Sequence, residues 1–380
     1  MTLLRFLLVL PSFLLALLVL IPAPSMLFWQ MRLCAIEFGH WFAIVPLLAL
    51  FAGRRRSGLD TALVAVAILS FILLISSSVR AASFGGSAKS KMRTVFPAQT
   101  AVKSSPFSFG RAWSFGGPPK AEALNMPYDE KHTPALTLDF YSAEGRTNAP
   151  CVVVVHGGGW DLGTRHEMSE LNNLLSNRGY AVAAIDYRLA PAVTWPEQGE
   201  DVLDAIGYLT ERASELKINP KKFVLLGRSA GAQIAGAVAA PGKVPGVVGC
   251  IMISAPADMN FAALYAKTND ILNSKKLIEQ YMGGTPAEKK EVYDSASAPM
   301  LVNEKSPPFL LIHGGKDDLV WVKQSERFSA KLAEAGVRHV FLKPPWATHA
   351  IDYGWNAPGG QLTQWAVEAF LASVTADATP

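Results

Sequence analysis

From residue 151 onward, short continuous apolar runs recur between stretches of helical spacing, and this alternation limits the fold more than any other feature. The runs are 151–155, 180–185, 223–226, 247–253, 309–312 and 340–342. Such runs suit strands that are buried on both faces, whereas a half-exposed strand alternates apolar and polar residues. The segments between them, such as 200–216 and 322–335, have the spacing of helices. Strands connected through helices that cover both faces make a mostly parallel sheet of the α/β class. One earlier run, Leu136-Thr137-Leu138-Asp139-Phe140-Tyr141, alternates and predicts an additional strand.

A second texture precedes this one. Three apolar segments, roughly 2–21, 33–53 and 59–79, open the chain. Each has about the twenty residues that a helix needs to cross a bilayer core. The first is longer than the 7–15 apolar residues of a signal sequence. The expectation is three transmembrane helices, a multi-pass anchor over residues 1–80. Glu37 and His40 are the ionisable groups well inside a segment, and both are expected near a membrane–water boundary. The loop Arg54-Arg55-Arg56 is short and basic, and such loops stay cytoplasmic. That places the rest of the chain on the extracytoplasmic, periplasmic side, although Arg80, Lys89, Lys91 and Arg93 follow the third segment. Residues 81–124, rich in Ser, Gly, Pro and Phe, read as a linker or cap segment. Residues 125–380 form the globular domain.

Charge follows the same division. The net charge of +4 splits into +7 for residues 1–93 and −3 for the remainder. The basic excess therefore belongs to the apolar module, and a nucleic-acid partner, which needs a basic face on the folded domain, is not expected. Cys34, Cys151 and Cys250 are an odd, sparse set without CxxC spacing. They predict neither a disulfide framework nor a zinc knuckle.

Two motifs carry chemistry. Gly227-Arg228-Ser229-Ala230-Gly231 lies between an apolar run and an Ala-rich helical stretch. The G-x-S-x-G pattern in that context sets a serine on a tight strand-to-helix elbow, with its hydroxyl above the sheet. The second motif, His156-Gly157-Gly158-Gly159-Trp160, ends the run 151–155. Acyl transfer builds negative charge on an oxygen, and backbone N–H groups aimed at that point stabilise it. Glycines let the backbone approach without a side chain in the way.

These motifs, with Asp186-Tyr187-Arg188-Leu189-Ala190-Pro191 between them, resemble the hormone-sensitive-lipase-like branch of the α/β-hydrolases, which includes bacterial carboxylesterases and acetyl esterases. The resemblance covers roughly residues 125–375 and not the apolar module. It implies an α/β-hydrolase fold, a Ser–Asp–His triad and an oxyanion hole formed by the backbone N–H groups of Gly158, Gly159 and Ala230. The fold's chain order is serine, acid, histidine. His313 comes too early, His339 begins a strand, and His349 lies in the following loop, so His349 is the expected base. The pattern H-G-x-x-D-x-x-V from His313 to Val320 resembles the family's acid loop and favours Asp317, with the adjacent Asp318 as the alternative. Many members carry an acidic residue where this chain has Arg228, for which a structural ion pair is expected. His156, Tyr187 and Arg188 are expected to brace the loops. No metal or organic cofactor is required.

On the substrate side, Trp160 walls the pocket or simply packs. Segments 256–306 and 84–120 are the candidates for a cap, the first offering Phe261, Leu264, Tyr265, Tyr281 and Met282. The leading expectation is a membrane-anchored serine hydrolase that cleaves a small-molecule carboxylic ester. Amide, arylformamide or peptide cleavage on the same scaffold is the second reading, and a non-catalytic membrane-tethered binding module the third. Oligomeric state is left open.

Overall fold

The computed structural model describes residues 2–53, 57–97, 102 and 104–376. It opens with helices α1 (Thr2–Leu17), α2 (Met26–Glu37), α3 (Gly39–Phe42), α4 (Ile44–Leu50), α5 (Gly58–Val95) and α6 (Phe109–Ala112). The globular part begins with strands β1 (Ala123–Asp129), β2 (Leu136–Tyr141) and β3 (Ala149–Val155). Then follow α7 (Ser169–Asn177), β4 (Ala181–Ile185), α8 (Glu197–Glu211), β5 (Ile218–Arg228), α9 (Ala230–Ala239) and β6 (Val247–Ile253). An insertion of α10 (Met259–Tyr265), α11 (Ser274–Met282), α12 (Lys290–Ser295) and α13 (Ala298–Leu301) comes next. β7 (Phe309–Ile312), α14 (Lys323–Glu334), β8 (His339–Leu342) and α15 (Pro358–Val374) complete the fold.

The eight strands form one sheet in the order β1-β2-β4-β3-β5-β6-β7-β8. β1 and β2 pair antiparallel, and the sheet is parallel from β4 to β8. The apolar runs of the sequence are thus the parallel strands. Along β3, Cys151, Val153 and Val155 face the layer of α8, α9 and α14, while Val152 and Val154 face the layer of α7 and α15. This explains why β3 is buried at every position.

The N-terminal module differs from three separate spans. Among the described residues only α5 is by itself long and apolar enough to cross a membrane. α1, with 16 residues, is about 24 Å long at 1.5 Å per residue, short of a hydrocarbon core of about 30 Å. The second segment is broken: α2 and the following α3–α4 pair bend by 79°. The break lies beside Gly39, where a Cβ would come within 2.3 Å of the Leu74 carbonyl oxygen. Glu37 accepts a hydrogen bond from the Gly359 N–H at the start of α15 (2.8 Å), and His40 Nε2 bonds to the Ala112 carbonyl (2.8 Å). Glu37 thus contacts the globular part, and His40 the short helix α6 that precedes it. Arg54-Arg55-Arg56, on which the expected orientation rests, lies outside the described residues.

The expected linker is also partly helix. α5 continues without a break from Gly58 to Val95, about 57 Å at 1.5 Å per residue. Its second half buries Ala81, Gly85, Ala88 and Met92, a stripe of mostly small residues at helical spacing. Ala81, Ala88 and Met92 join the same apolar cluster as α15 and one face of the sheet. Phe84 meets Trp346 edge to face (5.6 Å), and Phe96 meets Phe370 likewise (5.2 Å).

Candidate active site

Ser229 caps the N-terminus of α9 immediately after β5, with φ 53° and ψ −118°. Positive φ is uncommon for a residue with a side chain, and the neighbours explain how it is held. A Cβ on Gly227 would lie 2.3 Å from the Gly231 carbonyl oxygen, and one on Gly231 would lie 2.2 Å from those of Val155 and His156. The turn is therefore wedged between the ends of β3 and α9, with room only for small residues. The Ser229 N–H donates to the Ile253 carbonyl at 2.8 Å.

Three loops at the C-terminal ends of parallel strands bring the expected residues into one hydrogen-bond line. His349 Nε2 is 3.0 Å from Ser229 Oγ, and His349 Nδ1 is 2.7 Å from Asp317 Oδ2. A carboxylate has no proton to give. Nδ1–H therefore donates to Asp317, and Nε2 accepts from the serine hydroxyl. Asp317 Oδ1 accepts from the Leu319 and Val320 N–H groups at 2.9 and 2.8 Å. Burial alone would raise its carboxyl, but His349 and His313 more than offset this and hold it below the ordinary carboxylate range. Asp318, the adjacent alternative, turns away from His349 and pairs with Arg32 of α2.

His313 comes too early in the chain to be the base, yet it belongs to the site's support. Its Nε2 lies 3.1 Å from Asp317 Oδ2 and 2.9 Å from the Val320 carbonyl oxygen, and its Nδ1 lies 2.8 Å from Ser325 Oγ. The signal for it was its place at the head of the acid loop.

The glycine loop runs beside the serine. Gly158 and Gly159 have φ of +102° and +61°, and a Cβ on Gly158 would fall 2.1 Å from the Leu162 carbonyl oxygen. Gly159, Ala230 and Ser229 line one cavity of about 440 Å³. His156 stacks on Tyr187 (4.2 Å between centroids), and the Tyr187 hydroxyl donates toward the His156 and Gly157 carbonyls (3.2 and 3.3 Å). Arg188 pairs with Asp201 and Glu197. These residues brace the loop from behind.

Arg228 forms the ion pairs expected of it, to Glu167 at 2.7 Å and to Asp352 at 3.4 Å. Burial lowers its pKa, but the two carboxylates more than compensate and hold the guanidinium charged. Glu167 follows the glycine loop and Asp352 follows His349, so this one side chain joins the elbow to both neighbouring loops.

Trp160 both packs and lines the cavity. Its ring stacks on Tyr281 at 4.4 Å and its Nε1–H donates to Gln233 at 2.9 Å. The insertion supplies Phe261, Tyr265, Leu277 and Ile278 to the cavity wall, which Asp318, Val320 and Trp321 also line. Tyr281 and Met282 are buried in the core instead. Segment 84–120 contributes no lining residue among those described. It packs on α15, where Arg111 bonds to Asn356 and Gln364, and Ser108 to Gln361.

The sheet order, the strained elbow and the glycine loop define an α/β-hydrolase. Solved structures agree on the fold: an esterase of Pyrobaculum calidifontis superposes with a TM-score of 0.58 at 19% identity, covering 77% of this chain and 92% of its own. The BD-FAE family model matches residues 138–332, about half of the chain, and the chain belongs to the BD-FAE family. Among relatives, it is 30% identical to esterase LipQ of Mycobacterium tuberculosis over 67% of this chain and 63% of LipQ. It is 27% identical to an arylesterase of Saccharolobus solfataricus over 57% of this chain and 72% of that enzyme. The chain spans less than two thirds of LipQ and of LipM, a probable carboxylic ester hydrolase of the same mycobacterium (63% and 55%).

Proposed function

We propose that the chain is a membrane-tethered carboxylic ester hydrolase that works through an acyl-enzyme on Ser229. The hydrogen-bond line from Ser229 through His349 to Asp317, beside a glycine-lined cavity, carries this reading. The esterase relatives support the same reaction class.

In the first step Ser229 Oγ attacks the ester carbonyl carbon as His349 Nε2 takes the hydroxyl proton. Asp317 keeps the imidazole in the receptive tautomer and stabilises the imidazolium without itself being protonated. The carbonyl oxygen gains the negative charge and is held by the N–H groups of Gly158, Gly159 and Ala230. One such donor is worth about 2.7–4 kcal/mol in other enzymes. Collapse of the tetrahedral intermediate expels the alcohol, which takes the proton from His349. Water, deprotonated by His349, then attacks the acyl-enzyme and releases the acid. Each step uses side chains and backbone of this chain.

For the tether, α5 is the spanning helix, with α1 and α3–α4 packed along its first half. Support comes from the outward apolar side chains of α1 and α5, including Leu7, Leu10, Leu14, Ile68, Leu69 and Ile72. A soluble monomer rarely exposes so continuous an apolar surface. The basic loop 54–56 supports a cytoplasmic position for the far end of this bundle and an extracytoplasmic hydrolase domain. A reporter fused after Pro380 tests this, since activity only in the cytoplasm rejects it.

The decisive test of the chemistry compares wild type with Ser229→Ala on p-nitrophenyl esters of graded acyl length. Wild type turns over at least one ester and the variant none. Absence of turnover by folded wild type on every ester removes the reading.

A further inference from the structure

The first half of α2 is its exposed half. Met26, Leu27, Phe28 and Met31 are exposed, while Arg32, Leu33, Ala35, Ile36 and Glu37 at its other end are buried. α2 also stands at 79° to the α3–α4 pair, which packs beside the proposed spanning helix α5. A helix nearly perpendicular to a spanning direction lies in the plane of the membrane surface, where apolar side chains such as Phe and Leu sink between the headgroups.

This helix is fastened to the mouth of the catalytic cavity. Asp318 lines that cavity, and its carboxylate holds the Arg32 guanidinium. Arg32 lies four residues after Phe28, about 6 Å along the helix at 1.5 Å per residue. Two residues before Asp318, Lys316 Nζ donates to the Val19 carbonyl at 2.9 Å. Val19 lies in the turn that exposes Leu20 and Ile21. The acid loop is thus gripped at two points by the segment 19–32, whose exposed residues are mostly apolar, Ser25 and Gln30 apart. Where the insertion meets the end of the acid loop, Tyr265 and Trp321 also line the cavity, are 53% and 48% exposed, and meet edge to face at 5.1 Å. Tyr and Trp are the side chains that settle at membrane–water interfaces.

We infer that α2 and the turn before it seat in the lipid–water interface, so that the cavity opens onto the bilayer. The substrate class is then an amphiphilic ester dissolved in the membrane rather than one delivered from water. This rests on the proposed reading of the chain as a membrane-tethered ester hydrolase.

The test uses the full chain reconstituted in phosphatidylcholine vesicles with two probes: p-nitrophenyl acetate in the water and p-nitrophenyl palmitate dissolved in the vesicles. Phe28→Ser should slow palmitate hydrolysis about tenfold, the worth of one phenyl ring withdrawn from lipid, while the acetate rate stays at the wild-type level. Phe28→Leu, which keeps an apolar side chain, should restore the palmitate rate. Unchanged palmitate hydrolysis by Phe28→Ser overturns the inference and marks this face as a seat for a protein instead. An equal loss on both esters also overturns it, because the change then acts on the site and not on the seat. Wild type that hydrolyses neither probe removes the esterase reading itself, and release of the chain from vesicles by alkaline carbonate removes the tether.

Discussion

Asp317 offers a substitution that separates geometry from electrostatics. Its Oδ1 holds two backbone N–H groups of its own loop, while Oδ2 faces His349 and His313. In Asp317→Asn the amide oxygen keeps the backbone bonds and the NH₂ group turns toward His349. A donor there favours the imidazole with its proton on Nε2, which is unable to accept from Ser229. Ester turnover should fall about 10⁴-fold, the size of this effect in another Ser–His–Asp enzyme, with circular dichroism unchanged. A loss smaller than about tenfold would take Asp317 out of the proposed role. Gly231 makes the opposite case, in which shape alone decides. Its Cβ would meet two backbone carbonyl oxygens at 2.2 Å, and backbone yields less readily than a side chain. Gly231→Ala should cost at least about 1–3 kcal/mol, the usual range for forced overpacking, read as a lower urea midpoint.

At the scale of elements, the hydrolase fold of residues 125–380 was legible and the N-terminal module only partly so, for a physical reason. The elbow, the glycine loop and the acid loop are local: a few adjacent residues set each conformation, and the strand ends bring them together. The apolar module was read through its hydropathy, which reports composition and not partner. Nor did composition reveal that the expected linker continues α5, with Ala81, Gly85, Ala88 and Met92 turned toward protein. Nor does it show that Glu37 and His40 bond to Gly359 and Ala112, far away in sequence. The same long-range docking hid the role of Arg32, which pairs with Asp318 across an interval of 286 residues. That pair is nearly buried, with side-chain exposures of 3% and 11%. Breaking such a pair from one side costs about 3–5 kcal/mol, because the remaining charge stays buried, whereas replacing both partners by apolar residues is far milder. Arg32→Met should therefore lower the unfolding temperature of the full chain in detergent more than Arg32→Met with Asp318→Leu does. Strictly additive effects in that double-mutant cycle would show that the two side chains do not communicate.

For the whole molecule, the consequence is that the N-terminal quarter is a structural layer of the hydrolase fold as well as the proposed tether. A simple tether can be cut away, leaving a soluble enzyme. Here the second half of α5 covers the α15 side of the sheet, and Phe84, Met92 and Phe96 pack among residues that include Trp346 and Phe370. Fully burying a large apolar side chain is worth about 1.5–3 kcal/mol, so losing Met92 and Phe96 removes roughly 3–6 kcal/mol, to which the partly buried Phe84 adds. That is a large share of the stability of a typical domain, about 5–15 kcal/mol. A chain cut to residues 125–380 should therefore self-associate and lose its near-ultraviolet circular dichroism, even though every triad residue is present. A chain cut to 76–380 discards α1 to α4 and the first half of α5 but keeps the covering half. It should fold as a monomer and retain part of its activity on a water-soluble ester, less whatever the Arg32 and Val19 contacts contribute to the acid loop. Size-exclusion chromatography and thermal unfolding of the two truncations decide the point. If residues 125–380 alone are monomeric and unfold at the temperature of the longer chain, the module is only an anchor, and the packing of α5 on the sheet carries no stability.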